Sequence, residues 1–449
     1  VKKLSGQHYA ILGAGRSGLG AARLARRLGA EVMVFDDGDP ASLQTMVKRF
    51  EDEGIELQIG LDAARRICES TSFSKVVISP GLDAGWPLPR LFTEAGVPLV
   101  GEMEFAWQEL RHIPVVAITG TNGKTTTTEL LERIFEGCGL RTIACGNYGL
   151  ALSEVALSGE PYDVLTLEVS SFQLETIVEF HPRVALWLNF AADHLDRYPD
   201  EKTYFTAKRH MFDNMTADDV AVVRSGEPLG QLVPRVLTFS TEEGANADFR
   251  LVGNDVLLNG EAIASVNDFP LKERHNIENQ MAALAAGMSM GLEIPAMLNA
   301  LDGYAAARHR CELVRTVNGH RYINDSKATN LHALETCLRS QDEPVVLIIG
   351  GKEKGLDYTP LTSLLHAKVA GLVVIGEIAD KLFELFSPLV PCRKAGSVPD
   401  SVDVATEMAV PGQTIVFSPG TSSFDMFSSY VERGNVFCDA VLKLQEFQP

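Results

Sequence analysis

Positive charge is scarce in this chain. Its 449 residues carry 40 lysines and arginines against 59 aspartates and glutamates, a formal net charge of −19. So acidic a surface repels nucleic acid and anionic membrane, which removes both from the expected partners, although local basic spots can still hold a small anion. Paired cysteines are also missing. The seven cysteines (68, 138, 145, 311, 337, 392 and 438) are odd in number, scattered, and nowhere spaced C-x-x-C. This scatter points to a reducing compartment, and it speaks against a disulfide framework and against a thiolate metal site. No apolar run approaches the roughly 20 residues of a membrane span. No signal peptide is expected, since the sequence opens Val1-Lys2-Lys3-Leu4-Ser5 and reaches its first strand almost at once. What remains is the expectation of a cytoplasmic enzyme, long enough for about two to four domains and a sizeable core.

What the chain has in abundance is alternation. Strand and helix patterns follow one another throughout, as in parallel α/β sheets. Three segments are expected, 1–100, 101–306 and 307–449. The first opens with a strand at His8–Leu12, a glycine turn and a helix from Gly20 to Leu28, followed by strands at 31–35 and 75–79. The second has an apolar strand from Val115, further strands at 164–169 and 184–189, and an alanine-rich helix from about Asn276 to Gly291. Strands at 322–325, 345–349, 371–375 and 414–418 carry the third. The stretch Leu301-Asp302-Gly303-Tyr304-Ala305 reads as a linker.

The most informative run starts the second segment. Val115-Val116-Ala117-Ile118 enters Thr119-Gly120-Thr121-Asn122-Gly123-Lys124-Thr125-Thr126, and a helical pattern follows. Small residues let backbone N–H groups converge on an anion, the helix start adds partial positive charge, the lysine is a point charge, and a hydroxyl can bind Mg²⁺. This is a phosphate loop, shorter than the Walker pattern because Ile118 stands where that pattern wants its first glycine.

The first segment carries a second glycine turn, Gly13-Ala14-Gly15-Arg16-Ser17-Gly18, with Asp36 and Asp37 closing the next strand. Taken alone, this is the pattern of an NAD-dependent dehydrogenase. The physics is broader: such glycines permit close approach to any pyrophosphate, that of a UDP-sugar included, or merely allow a helix to pack closely on a strand. Ser79-Pro80-Gly81 falls at the carboxyl edge of the same sheet and can line the same crevice.

Downstream of the phosphate loop, Glu168 closes a buried strand, where a carboxylate can hold Mg²⁺. Asp193, His194 and Asp196 gather metal-binding or proton-handling groups after another strand; capping and surface roles are the plainer alternatives. Lys208 reads on its own as a solvated helix lysine.

Together, Gly120–Thr126, the run from Glu168 to Glu175, Asp193-His194-Leu195-Asp196-Arg197-Tyr198, His275-Asn276-x-x-Asn279 and the run from Asn324 to Asn330 resemble the Mur ligases. These are ATP-dependent amide ligases that build the peptidoglycan stem peptide in the cytoplasm. The resemblance covers the whole chain in order. Within the family, Asn324-Asp325-Ser326-Lys327-Ala328-Thr329-Asn330 and the run from Ser418 to Asp425 are similar to the branch that adds D-glutamate. Tyr148, Phe424 and the absence of a proline before His309-Arg310 depart from the family pattern.

The resemblance implies three α/β domains: Rossmann-like, central P-loop ATPase-like, and a second Rossmann-like domain that rotates to close on the product of the first step. It implies two Mg²⁺ ions and ATP, with UDP-N-acetylmuramoyl-L-alanine and D-glutamate as substrates and a monomer as the assembly. Gly120, Thr121, Asn122, Gly123, Lys124, Thr125 and Thr126 would hold the phosphates, with Asn276, Asn279, Arg310 and Asp325 framing ATP. Thr125 and Glu168 would bind one metal ion and His194 the second, with Lys208, modified to a carbamate, as a further metal partner. Gly15, Arg16, Ser17, Asp36, Asp37, Gly81, Asn147 and His194 would face the UDP substrate. Lys327 would lie near the acyl phosphate, and Thr329, Lys354 and Ser423 would receive D-glutamate. The alternatives are a sister ligase or a folylpolyglutamate-synthase-like enzyme adding another amino acid, a dehydrogenase resting on the first glycine turn alone, and a non-catalytic ATP-binding scaffold.

Overall fold

A computed structural model describes residues 3–195, 197–305 and 308–445; Asp196 and the pair Ala306-Ala307 lie outside the described residues. The apolar runs form three sheets. The first has β1 (His8–Leu12), β2 (Glu31–Asp36), β3 (Glu56–Ile59), β4 (Lys75–Ile78) and β5 (Leu99–Gly101), all parallel in the order β3-β2-β1-β4-β5.

The second sheet has nine strands: β6 (Val115–Thr119), β7 (Ala144–Gly146), β8 (Leu165–Glu168), β9 (Val184–Trp187), β10 (Val220–Arg224), β11 (Arg235–Ser240), β12 (Phe249–Val252), β13 (Asp255–Leu258) and β14 (Glu261–Ser265). Their order is β14-β13-β12-β11-β10-β9-β6-β8-β7, parallel except for the β12-β13-β14 meander at one edge. β6, β8 and β9 are buried along their whole length, the continuous apolar character of strands covered on both faces.

The third sheet orders β15 (Glu312–Val317), β16 (His320–Asn324), β17 (Val345–Gly350), β18 (Val369–Ile375), β19 (Cys392–Lys394) and β20 (Ile415–Phe417) as β15-β16-β20-β17-β18-β19, with only the β15–β16 pair antiparallel. Among the described residues no helix is long and apolar enough to cross a membrane.

The chain divides into two compact units. The first comprises Val1–Phe190, Phe205–Pro270 and Ile277–Gly303, and the second Ala191–Tyr204, Leu271–Asn276 and Tyr304–Pro449. The first unit contains both of the first two sheets, which share one apolar core running from Ile11, Leu19 and Val77 through Phe105 and Trp107 to Val115, Leu167 and Trp187. Two buried carboxylates brace that junction. Glu104 accepts backbone N–H groups of Val178, Glu179 and Phe180 at 3.0, 3.2 and 2.9 Å, and Glu102 accepts that of Ser153 at 2.8 Å. Such acids are stable in a core because backbone donors replace water. The alanine-rich helix spans Arg274–Ser289, displaced toward the N-terminus from the expected span. It stops where Met290 N–H turns back to the carbonyls of Ala286 and Gly287. The expected linker begins at the last residue of the helix Ile294–Leu301 and contains the boundary between Gly303 and Tyr304.

Candidate functional site

In the first unit the phosphate loop joins β6 to the helix Lys124–Gly137. Gly123 caps that helix with φ +87°, and a Cβ there would meet Asn279 Oδ1 at 2.4 Å. Only glycine satisfies both demands. The loop is held from outside by Asn189, which follows β9. Asn189 Oδ1 accepts Asn122 N–H at 2.9 Å, its Nδ2 donates to Asn122 O at 3.0 Å, and its backbone carbonyl accepts Thr121 N–H at 3.0 Å. Sequence reasoning missed this brace; an asparagine closing a strand was the available signal. Thr125 lies half-buried in the first turn of the helix and Thr126 is buried behind it.

Two lysines converge on the loop. Lys124 Nζ donates to Gly120 O and Thr121 O, both at 2.8 Å. Lys208 Nζ donates to the same Gly120 O at 3.0 Å. Lys208 is 2% exposed, which corrects its reading as a solvated helix lysine: the helix Glu201–Arg209 turns this residue inward, and Gly120 O replaces water. Two ammonium groups on one carbonyl oxygen repel each other and mark a locus for negative charge.

Glu168 ends β8, directly beside β6, and is 2% exposed. Its Oε1 accepts from Asn147 Nδ2 at 2.7 Å. Its Oε2 is buried with no hydrogen-bond partner. An orphaned carboxylate oxygen is costly unless a cation supplies the missing partner, so Glu168 fits a metal-binding role. Asn147 is tied to Glu168 twice, since its backbone N–H also donates to Glu168 O at 2.9 Å. The departing Tyr148 hydrogen-bonds Glu129 Oε1 at 2.8 Å.

At the first glycine turn, Gly15 caps the helix Arg16–Leu28. A Cβ on Gly18 would sit 1.8 Å from Gly13 O, so this glycine serves close helix–strand packing. Asp36 has both carboxylate oxygens engaged, Oδ2 by Ala14 N–H at 2.7 Å and Oδ1 by Gly38 N–H at 2.8 Å. It therefore shapes the turn. Arg16 is exposed with Nη2 3.8 Å from Glu154 Oε2. Ser17 is half-buried, and Asp37 and Gly81 are exposed. Ser79 Oγ is buried and unpartnered, and a Cβ on Gly13 would stand 2.8 Å from it.

The second unit gathers its own set. Thr329, Ser423 and Lys354 follow β16, β20 and β17, which are adjacent in the sheet. Lys354 is buried, and its Nζ donates to Asp193 Oδ1 at 2.6 Å. Asp193 is buried too. Its Oδ2 accepts from Asn330 Nδ2 at 3.0 Å and its Oδ1 also accepts His194 N–H at 2.8 Å. Burial pushes the Asp193 carboxyl up, but His194 and Lys354 outweigh it and hold the group below the usual carboxylate range. His194 adopts φ +55°, an uncommon backbone for a side chain of this size. Asp196 cannot be placed with them, lying outside the described residues.

Asp325, at the end of β16, is buried. Ser418 Oγ donates to its Oδ2 at 2.7 Å and Cys311 N–H to its Oδ1 at 3.2 Å. Burial pushes this carboxyl up, with Arg310 among the groups opposing the rise. Burial and Arg310 push His275 down to about 4, so its imidazole is neutral at neutral pH. Asn276 Nδ2 donates to Glu273 Oε2 at 2.9 Å. Lys327 Nζ lies 6.0 Å from the Tyr430 ring centre.

Arg433 is a further residue that sequence reasoning missed. Fully buried, it donates to Ser326 Oγ (3.1 Å), Ser326 O (2.8 Å) and Thr421 O (3.0 Å). It thus ties together the loops that carry Lys327 and Ser423. Arg433→Ala is expected to cost about 3 kcal/mol or more, because charge-assisted bonds are lost and two carbonyls are stranded. Urea unfolding measures this; a change under about 0.5 kcal/mol, the range of an ordinary surface substitution, would refute it.

Residues 118–287 match the family Mur ligase middle domain, and residues 309–420 match Mur ligase, glutamate ligase domain. Residues 1–103 match the alanine dehydrogenase/PNT C-terminal domain, a likeness confined to the segment with the first glycine turn. The chain is 38% identical over 444 residues to UDP-N-acetylmuramoylalanine--D-glutamate ligase of Geotalea uraniireducens, covering 97% of each protein. With the protein of the same name from Syntrophotalea carbinolica it shares 39% identity over 453 residues and 99% of each. Among solved structures, UDP-N-acetylmuramate-alanine ligase of Thermotoga maritima superposes over 97% of this chain and 99% of its own with a TM-score of 0.62 at 16% identity, a likeness of fold alone. End-to-end identity at this level, with both ligase domains matched, means that the chain belongs to the Mur ligase family, beside the UDP-N-acetylmuramoylalanine--D-glutamate ligases.

Proposed function

We propose that this chain joins D-glutamate to UDP-N-acetylmuramoyl-L-alanine at the expense of ATP, in cytoplasmic peptidoglycan precursor synthesis. The full-length relatives support the substrates. The observation that carries the chemistry is the phosphate loop with the Lys124 ammonium on its carbonyls and the orphaned oxygen of Glu168 one strand away.

A carboxylate is a poor acyl donor because oxide leaves badly. Transfer of the γ-phosphoryl group of ATP to the L-alanyl carboxylate yields an acyl phosphate and ADP. The amine of D-glutamate then attacks the carbonyl carbon, the C–N bond forms, phosphate leaves with its oxygen, and the amine gives up a proton. Lys124 and the loop N–H groups neutralise and position the transferring phosphoryl group. Mg²⁺ ions, when bound, supply further neutralisation of the phosphate oxygens. Thr125, Glu168, His194 and a carbamoylated Lys208 are their proposed ligands.

Asn276, Asn279, Arg310 and Asp325 are assigned to ATP. The residues from 1 to about 100 form a UDP-binding domain, those to 306 the ATP-binding domain, and the rest the amino-acid domain. The first takes the UDP moiety through Gly15, Arg16, Ser17, Asp36, Asp37 and Gly81, and Asn147 acts near its reacting end. Lys327 attends the acyl phosphate, while Thr329, Lys354 and Ser423 receive the two D-glutamate carboxylates.

An amino-acid panel with UDP-N-acetylmuramoyl-L-alanine and ATP, read by phosphate release, tests the reading. D-Glutamate is expected to support turnover and L-glutamate to fail, since inversion moves the amine or a carboxylate out of register. Equal use of L-glutamate, L-alanine or a diamino acid would sink the assignment. Lys354→Ala is expected to raise KM for D-glutamate about 10- to 100-fold, the equivalent of roughly 1.5–3 kcal/mol, with little change for the other substrates. That variant also strands the Asp193 carboxylate, so Asp193→Asn/Lys354→Ala is measured beside it. An unchanged KM in both would remove Lys354 from the site.

A further inference from the structure

Two clusters in the second unit bring sulfur together with other metal-binding atoms, and neither shows in the cysteine spacing. His309, Glu312 and Cys438 form one; Cys311, Asp325 and Cys337 form the other, and in each the ligand atoms lie within 4.8 Å of one another. The first is already filled. The side-chain amide of Asn324 sits among its members, 2.8 Å from His309 Nδ1, 3.1 Å from Cys438 Sγ and 3.4 Å from Glu312 Oε2. A cation there would have to evict an amide that is itself buried.

Among the described residues no side-chain amide hydrogen-bonds to the three donor atoms of the second cluster. Cys311 precedes β15, Asp325 follows β16, and Cys337 lies on the helix Leu331–Arg339, so the three donors come from three separate places in the fold. The Cys337 and Cys311 sulfurs and an Asp325 carboxylate oxygen lie within 4.8 Å of one another. Asp325 and Cys337 are buried, while Cys311 is half-buried. The carboxylate is oriented from behind by Ser418 Oγ and Cys311 N–H, as ligating carboxylates commonly are.

We propose that Cys311, Cys337 and Asp325 form a binding site for a thiophilic divalent metal ion of the zinc class. Two thiolates and a carboxylate suit such an ion and leave a fourth tetrahedral position open. Binding forms two metal–sulfur bonds and one metal–oxygen bond and releases the two thiol protons to solvent. The formal charge of the bound set is −1, from three anionic ligands and one dication. Arg310, whose charge acts on Asp325, offsets it. The ion would also hold Asp325 away from nucleotide, a consequence that rests on the assignment of Asp325 to ATP; the metal site itself does not.

Cobalt(II) titration of the full chain under reductant tests the site without reference to activity. One Co²⁺ per chain is expected, with a sulfur-to-cobalt charge-transfer absorption that Zn²⁺ bleaches. Cys311→Ser and Cys337→Ser, checked for folding by thermal melting, are expected to lose that absorption and weaken binding by about a hundredfold or more, since losing even an outer partner costs about 10- to 100-fold. Ser418→Ala, which removes only the orienting donor, should keep the absorption and bind about tenfold more weakly. Absence of the charge-transfer band in the wild-type chain, or its persistence in the folded Cys311→Ser/Cys337→Ser variant, overturns the proposal.

Discussion

Lys124→Ala is expected to abolish ATP-dependent phosphate release and leave the fold intact. The loop has supports besides this side chain: Asn189 braces it through three hydrogen bonds, and Gly123 sets the entry to the helix. What Lys124 supplies is an ammonium group at the loop carbonyls, positioned for the phosphates. A charge-assisted contact that strengthens as charge develops in the transition state contributes about 3–4 kcal/mol, or about 10²- to 10³-fold in kcat. Phosphate release and a thermal melt on the same preparation give the two readouts. Turnover within a few-fold of wild type would remove the phosphate-loop assignment.

Lys208→Ala is the second large effect. Its ammonium is buried and shares Gly120 O with Lys124. Reaction of the neutral amine with CO₂ gives a carbamate, –NH–COO⁻, and a proton. The charge at this position then changes from repelling Lys124 and any metal ion to attracting both. The alanine variant is expected to lose at least about a hundredfold in kcat, comparable to losing one preorganised charge-stabilising group. Acetate, which can occupy the vacated space with a carboxylate, should restore part of it. A fully active Lys208→Ala, or an intact wild-type mass without the added CO₂ after incubation in bicarbonate, counts against the carbamate.

Much of the fold was legible because buried parallel strands are continuous apolar runs. β1, β6, β9 and β17 read directly from their residues. The meander β12-β13-β14 did not, because its strands are short and partly exposed and carry charged ends at Asp255 and Glu261. β7 and β5 are three residues each, too short for any period to register. At the site, the glycine loop and the strand-end Glu168 announced themselves by residue type and position. Lys208 did not: a lysine near the end of an amphipathic helix looks solvated until the fold turns it onto Gly120 O. Asn189 left only the faint signal of an asparagine after a strand, and Arg433, whose bonds go to Ser326 and Thr421, left none. Cys311 and Cys337 became neighbours only through the meeting of a strand and a helix.

The path of the chain has a consequence for how this protein can be taken apart. The stretch that matches the glutamate ligase domain, residues 309–420, contains Lys354 but not its counter-ion. Asp193 arrives in the excursion Ala191–Tyr204, which packs with that unit although it lies 161 residues from Lys354 in sequence. A graft that moved the C-terminal stretch alone into another scaffold would carry a buried ammonium and leave its aspartate behind, stranding a charge whose desolvation costs several kcal/mol. The lysine and the aspartate are therefore one heritable unit. A chimaera that respects this must cut the chain at both ends of the excursion as well as before the C-terminal stretch.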